Sequence, residues 1–263
     1  MIAKELQEEV YNCIKCGICM NACPVYKQLH VEGAAPRGKV QLIKKIQEGK
    51  FDISEGFKNL LYTCLLCETC TVNCPSGVKI DRLFKAMRAE VLKKYKLPLL
   101  KRIMSTVLSS DQLLPFCMFW GRTLGNPLMA LLPKNGKIGA ISFSKLPKFN
   151  GKPLMDQYPE IISPSGKAQG RVIYFPGCAN NFLFENVGNS TIKVLQRLGV
   201  EVVFPKDLKC CSLPIFLSGA RQMALSNIKS NLSVFSRYDN VDAIIVDSAT
   251  CGAAFKEEYV HIL

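Results

Sequence analysis

Histidine is nearly absent from this 263-residue chain, with His30 and His261 the only two. That scarcity leaves no evident nucleophile–base pair or acid–base dyad, so both histidines read as surface or packing residues. There is one tryptophan, Trp120, and no uninterrupted apolar run of 18 residues or more, which argues against a membrane-spanning helix. No G-x-G-x-x-G follows a strand candidate, so no flavin or nicotinamide site is expected within the chain. Helix-turn-helix, zinc-finger and RNA-recognition signatures are missing too, which sets nucleic acid aside as a partner. The opening MIAKELQEEV is charged and helical, unlike a signal peptide, and a cytoplasmic location is expected.

Cysteine, by contrast, is abundant. Thirteen occur, an odd number that leaves one over in any all-disulfide scheme. Clustered cysteines without a secretory signal point to metal or redox chemistry rather than disulfides. An apolar content of 48% against 21% charged supports a packed core. The formal charge of +13 counts every cysteine as a neutral thiol. A cubane with four thiolates carries roughly −2, so two of them would lower the excess to about +9. The remaining charge favours an acidic protein partner or an anionic lipid surface.

The chain reads as a two-domain α+β protein. Residues 1–110 are expected to be mostly helical. Pro36 can open a helix carrying Val40, Ile43 and Ile46 on one face and ending at Gly49, and Ile80, Leu83, Phe84, Met87 and Val91 recur at helical spacing until Pro98. Residues 111–132 are apolar but interrupted by Pro115, Gly121, Arg122, Gly125 and Pro127, and 133–170 read as a linker, so 111–170 separates the two domains. Residues 171–263 change to a β-α-β-α-β pattern with strands RVIYFP, VEVVFP and DAIIVD, implying a small three-layer parallel sheet. Its two helices are expected to bury the stripes Phe184, Val187, Thr191, Val194, Leu195, Leu198 and Ala220, Met223, Ala224, Ile228, Leu232, Phe235.

Two runs, CIKCGICMNACP and CLLCETCTVNCP, share the spacing C-x-x-C-x-x-C-x-x-x-C-P. Three cysteines two residues apart can wrap one [4Fe–4S] cluster, while the fourth, followed by proline, turns toward the cluster of the other run. This rule assigns Cys13, Cys16, Cys19 and Cys74 to one cluster and Cys64, Cys67, Cys70 and Cys23 to the other. Structural zinc sites pair two C-x-x-C knuckles and need neither the third cysteine nor the C-P.

A second set comprises Cys178 in FPGC, Cys210 and Cys211 in KCCSLP, and Cys251 in SATCG. Each group follows a predicted strand, so all four are expected at the edge where α/β sheets place their ligands. They suit a third cluster or a redox-active set of thiols. Cys117, alone in an apolar stretch, reads as a packing residue.

These paired runs, followed by PGC…CC…CG, resemble the iron–sulfur subunit of glycolate oxidase. Related families are the lactate-utilisation iron–sulfur protein, a subunit of anaerobic glycerol-3-phosphate dehydrogenase, and heterodisulfide reductase. The likeness covers nearly the whole chain, including PRGK at Pro36–Lys39, KCCSLP at Lys209–Pro214 and the terminal TCGAAFKEEYVHIL. It implies an electron-transfer subunit that is not catalytic alone. Such a subunit takes electrons from an FAD-containing dehydrogenase of a small 2-hydroxy acid, or of glycerol 3-phosphate, toward a quinone or other acceptor. The family usually has a second cysteine-rich copy; here there is one, as in a truncated form. Ser212 stands where the family often has glycine. A heterodisulfide-reductase-like thiol–disulfide reductase is the alternative, and Ala254 in place of a fifth cysteine counts against it.

Peripheral attachment to the inner face of the cell membrane is also expected. Arg82, Lys85, Arg88, Lys93, Lys94, Lys96, Lys101 and Arg102 face only Glu90 in residues 82–102, and the apolar stretch 113–132 follows. Such a pairing suits anionic headgroups at about 1 kcal/mol per cation. Packing of the stretch beneath the linker is the rival arrangement.

Overall fold

Helices build the cysteine-run region because its apolar residues recur at helical spacing around short capped turns. In the computed structural model, which describes residues 8–97, 99–110, 112–125, 137–138, 141–142 and 152–263, the chain divides into two units. One is Met1–Arg102 with Pro214–Arg221; the other is Ile103–Leu213 with Gln222–Leu263.

In the first unit, α1 (Ile18–Ala22), α2 (Pro24–Leu29), α3 (Pro36–Gln47), α4 (Glu55–Tyr62), α5 (Thr69–Val72) and α6 (Ile80–Lys94) surround one core. Pro36 occupies the first turn of α3, where its missing N–H costs nothing, and Gly49 follows the helix at φ +68°. The apolar faces expected of α3 and α6 supply Val40, Ile43, Ile80, Leu83, Phe84, Met87 and Val91 to this core, and Phe57 and Leu61 join them from α4. Each such side chain contributes roughly 1.5–3 kcal/mol when fully buried. Pro98 lies outside the described residues.

The basic run of 82–102 does not form a single solvated face. Lys85 and Arg88 are buried. Lys85 pairs with Glu68 at 2.8 Å and Asp81 at 3.1 Å. Arg88 donates to the carbonyls of Leu61, Cys64 and Leu217. Lys93 pairs with Glu90 at 2.8 Å. Lys85 and Arg88 are therefore structural, because a buried cation persists only where carboxylates or carbonyls compensate it. Sequence placed Leu217 and Ser218 in the second domain, yet both are bonded within the first unit, Ser218 through its carbonyl to the Tyr62 hydroxyl at 2.8 Å.

The second unit holds α8 (Leu113–Trp120), which follows α7 (Leu99–Ser109) in the chain. Pro115 sits in the first turn of α8 and is tolerated there. Phe116, Phe119 and Trp120 are exposed, Phe116 at 59%. A two-stranded antiparallel ladder joins β1 (Lys137–Ile138) to β2 (Ile141–Ser142). The main sheet contains β3 (Ile161–Ile162), β4 (Gly170–Phe175), β5 (Val200–Val203) and β6 (Ala243–Val246) in the order β3-β5-β4-β6. β4 pairs in parallel with both β5 and β6, in line with the three predicted strands. β3 is an addition: it pairs antiparallel with β5, out of a segment that sequence read as linker. No helix among the described residues is long and apolar enough to cross a membrane.

Both predicted stripes are rotated in the structure. α9 (Gly177–Phe182) is followed by α10 (Glu185–Arg197), which buries Gly188 and Ile192 and exposes Phe184, Val187, Val194 and Leu198, the last at 61%. The cause is Leu154 of the supposed linker, fully buried and so close to Gly188 that an added Cβ would lie 2.2 Å from its Cδ2. α11 (Leu213–Leu217) precedes α12 (Arg221–Phe235), which buries Ala224, Asn227, Ile228, Asn231 and Val234 and leaves Leu232 exposed. Two asparagines thus occupy a face that hydropathy alone would send to solvent.

Candidate iron–sulfur sites

Two cavities in the first unit are lined by the cysteine runs. Cys13, Cys16, Cys19 and Cys74 line one, with Lys15, Gly17 and Arg37. Cys64, Cys67, Cys70 and Cys23 line the other, with Lys39, Glu68 and Asp81. The fourth cysteine of each run therefore stands in the cavity of the opposite run.

The two loops repeat one backbone pattern. Lys15 and Gly17 flank Cys16 at φ +61° and +85°, while Leu66 and Glu68 flank Cys67 at +53° and +61°. Left-handed backbone costs a residue with a Cβ roughly 1–2 kcal/mol, and such strain gathers at ligand sites. Here it curls each loop so that N–H groups approach sulfur. The Leu66 N–H donates to Cys64 Sγ at 3.4 Å, and the Tyr26 N–H to Cys23 Sγ at 3.5 Å. The Arg37 N–H meets Cys19, Arg37 Nη1 donates to the Lys15 carbonyl at 3.2 Å, and Arg88 Nη2 holds the Cys64 carbonyl at 2.6 Å.

Burial pushes the free thiols of Cys19 and Cys64 up, and that of Cys70 to about 12. A bound cation would favour their thiolate form. Among the described residues, no three His, Cys, Asp or Glu side chains stand close enough to hold one metal ion. Four cysteines around each cavity, three of them from one C-x-x-C-x-x-C run, fit a cubane, whose thiolates bind four separate irons. The donor set and the turned-in N–H groups suit [4Fe–4S] clusters, which as a class carry single electrons.

PRGK explains itself at the start of α3. Arg37 lines the first cavity and Lys39 the second. Gly38 between them lies so near the preceding turn that a Cβ would come within 2.0 Å of the Glu32 carbonyl oxygen. Lys39 is 1% exposed and donates to the Ala34 carbonyl. Burial draws its ammonium below the usual range, and the thiols of Cys64 and Cys23 oppose that.

In the second unit the loops after β4, β5 and β6 bring Cys178, Cys210, Cys211 and Cys251 together at the C-terminal sheet edge. Cys178 and Cys210 sulfurs lie 3.9 Å apart. The Cys210 hydrogen bond pushes the Cys178 thiol up, and the Cys211 hydrogen bond pulls Cys251 down. Gly177, at φ +68°, leaves room for Cys251 Sγ, which would lie 2.8 Å from an added Cβ. A cavity of about 410 Å³ opens beside Cys178 and Cys210, walled by Leu108, Leu114, Met155 and Phe182. Ser212 is buried at φ +65°, a conformation that glycine adopts without strain.

Several residues of this site have roles that no motif announces. Asn231 on α12 accepts from the Lys209 N–H at 2.8 Å and donates to the Lys209 and Cys210 carbonyls. The Tyr259 hydroxyl donates to the Cys211 carbonyl at 3.0 Å. Asp247, just past β6, accepts from Tyr174, Asn180 and Thr191 and so ties β4, α9 and α10 together beside Cys178. Buried carbonyls recruit such partners by obligation, and only the folded chain shows which side chain answers. His30 and His261 are exposed, in line with their reading as surface residues. Cys117 is exposed rather than packed, because α8 turns that side outward.

Comparison with known proteins agrees with this geometry. Residues 9–78 match the 4Fe-4S dicluster domain family, and residues 172–256 match the cysteine-rich domain family. The chain is 29% identical, over 97% of its length, to the probable glycolate oxidase iron–sulfur subunit of Bacillus subtilis, covering 60% of that protein. It is 30% identical, over 95% of its length, to the glycolate oxidase iron–sulfur subunit of Escherichia coli, covering 58% of it. A subunit of the Escherichia coli anaerobic glycerol-3-phosphate dehydrogenase is 28% identical over 96% of the chain, which covers 63% of that relative. The chain thus spans 58–63% of the length of these curated relatives. No solved structure gives a significant match. The chain thus combines a segment that matches the 4Fe-4S dicluster domain family with one that matches the cysteine-rich domain family, and along nearly its whole length it is similar to iron–sulfur subunits of glycolate oxidase and to a subunit of anaerobic glycerol-3-phosphate dehydrogenase.

Proposed function

We propose that this chain is the electron-relay subunit of an FAD-linked dehydrogenase of a small 2-hydroxy acid, of the glycolate or lactate type, and passes electrons toward a quinone or another acceptor. The observation that carries this reading is the four-and-four distribution of the run cysteines around two cavities in a homologue of glycolate oxidase iron–sulfur subunits. In it, Cys13, Cys16, Cys19 and Cys74 hold one [4Fe–4S] cluster and Cys64, Cys67, Cys70 and Cys23 the other. The chain's own residues bind and orient: the left-handed loops present sulfur, Arg37 and Arg88 brace those loops, and the helical core excludes water. Cys178, Cys210, Cys211 and Cys251 form a further redox station.

Anaerobically reconstituted protein is expected to hold about eight irons if those four remain thiols and about twelve if they take a third cluster. Co-expression with a flavoprotein of this class should give substrate-dependent dye reduction by the pair and none by this chain alone. Reduction of a disulfide by the chain alone would replace the relay with the thiol–disulfide reductase.

The exposed aromatic side of α8, with Lys94, Lys96 and Lys101 exposed nearby in sequence, supports peripheral attachment to anionic lipid. Flotation with anionic vesicles at low salt should carry the protein upward, and high salt or neutral lipid should release it. Failure to float on anionic vesicles would leave membrane attachment to a partner protein.

A further inference from the structure

The two cavities differ in how their cations are compensated. Arg37, beside the first, is partly exposed and pairs with Glu32 at 2.7 Å. Lys39, lining the second, is fully buried; its hydrogen bond goes to a backbone carbonyl, and no carboxylate pairs with it among the described residues. The nearby Asp81 is already engaged by Thr71 at 2.7 Å and Lys85 at 3.1 Å. A buried ammonium without a counter-charge is among the costliest features a fold can hold, and a single carbonyl does not offset it. What lines the same cavity is the set Cys64, Cys67, Cys70 and Cys23, the proposed ligands of an anionic cluster.

We infer that Lys39 is a positioning and charge-compensating residue for the second-run cluster, and that its ammonium raises that cluster's reduction potential relative to a neutral side chain. The inference rests on the cluster assignment proposed above. Reduction adds one electron to a cluster of net charge roughly −2, and a fixed cation in a low-dielectric wall favours the more negative state. Arg37 has no comparable effect on the first cluster, because Glu32 cancels much of its charge and solvent screens the rest. The helix start of α3 thus treats the two clusters unequally, though the cysteine runs are near copies.

The test is a redox titration of reconstituted protein followed by electron paramagnetic resonance, with Cys16→Ser and Cys67→Ser variants identifying each signal. Lys39→Met is expected to lower the equilibrium constant for reduction of the second-run cluster tenfold or more, a fall of about 59 mV for one electron. The first-run cluster should move far less, and Lys39→Arg should keep the wild-type value. If Lys39→Met instead loses the second-run iron, leaving about four irons, retention of about eight in Lys39→Arg supports the same role. Unchanged potentials in Lys39→Met at full iron content would overturn the inference and leave the cluster assignment standing. Loss of the second cluster in Lys39→Arg as well would make Lys39 a packing residue and overturn it too. Wild-type protein lacking cubane iron would remove the assignment and the inference together.

Discussion

Replacing Cys23 with serine is expected to empty the second cavity of its cluster and spare the first. Cys23 closes the first run in sequence, yet it lines the cavity of Cys64, Cys67 and Cys70. Its place follows from the C-P step: Pro24 opens α2, and Cys23 caps that helix with its sulfur accepting from the Tyr26 N–H. The reconstituted variant should retain about four of about eight irons. Its remaining paramagnetic signal should be that of the cluster held by Cys13, Cys16, Cys19 and Cys74. Cys74→Ser should give the mirror result. Loss of the first-run signal in Cys23→Ser, with the second intact, would refute the crossed ligand sets.

Gly38→Ala is expected to be the most damaging single methyl in the first unit. The new Cβ would meet backbone on every side: 2.0 Å to the Glu32 oxygen, 2.7 Å to its carbonyl carbon and 3.1 Å to the Gly33 Cα. None of these can rotate away as a side chain would, so α3 must shift. Overpacking of this kind costs about 3 kcal/mol. In a protein of this size that lowers the unfolding midpoint by about 6 °C or more. Arg37 and Lys39 flank Gly38, so both paramagnetic signals should weaken together. A melting temperature within a degree of wild type, with both signals at full strength, would contradict this account of the motif.

Legibility in the sequence followed the reach of local rules. The apolar faces of α3 and α6, the three parallel strands and the exposed histidines were readable because periodicity and composition are local signals. What escaped was decided by partners far along the chain. Leu154 and Ile162 look like linker residues, yet Leu154 fills the notch at Gly188 and Ile162 extends the sheet. Leu198 and Val194 look like core but face outward, because that notch fixes how α10 rolls. Asn231 is absent from the apolar stripe expected of its helix, yet it is buried and supplies donor and acceptor to the backbone of the Lys209–Cys210 loop. Lys85 and Arg88 joined a supposed basic face, but they neutralise carboxylates and carbonyls inside. For the candidate site, spacing announced the cysteines, whereas the roles of Gly38, Arg88, Tyr259 and Asp247 emerge only once the backbone around them is folded.

The exchange of the fourth cysteine between runs bears on how the protein is made. On the proposed ligand sets, seating iron in either cavity draws in a sulfur from the other run. That event fixes the flanking α1–α2 or α5 segment in the position its own cavity needs. Metal binding in one pocket then lowers the ordering cost of filling its neighbour, which is positive linkage between two sites that share no ligand. At limiting iron the wild-type chain should then hold fewer half-loaded molecules than independent filling gives, while excess iron still fills the one competent cavity of Cys23→Ser.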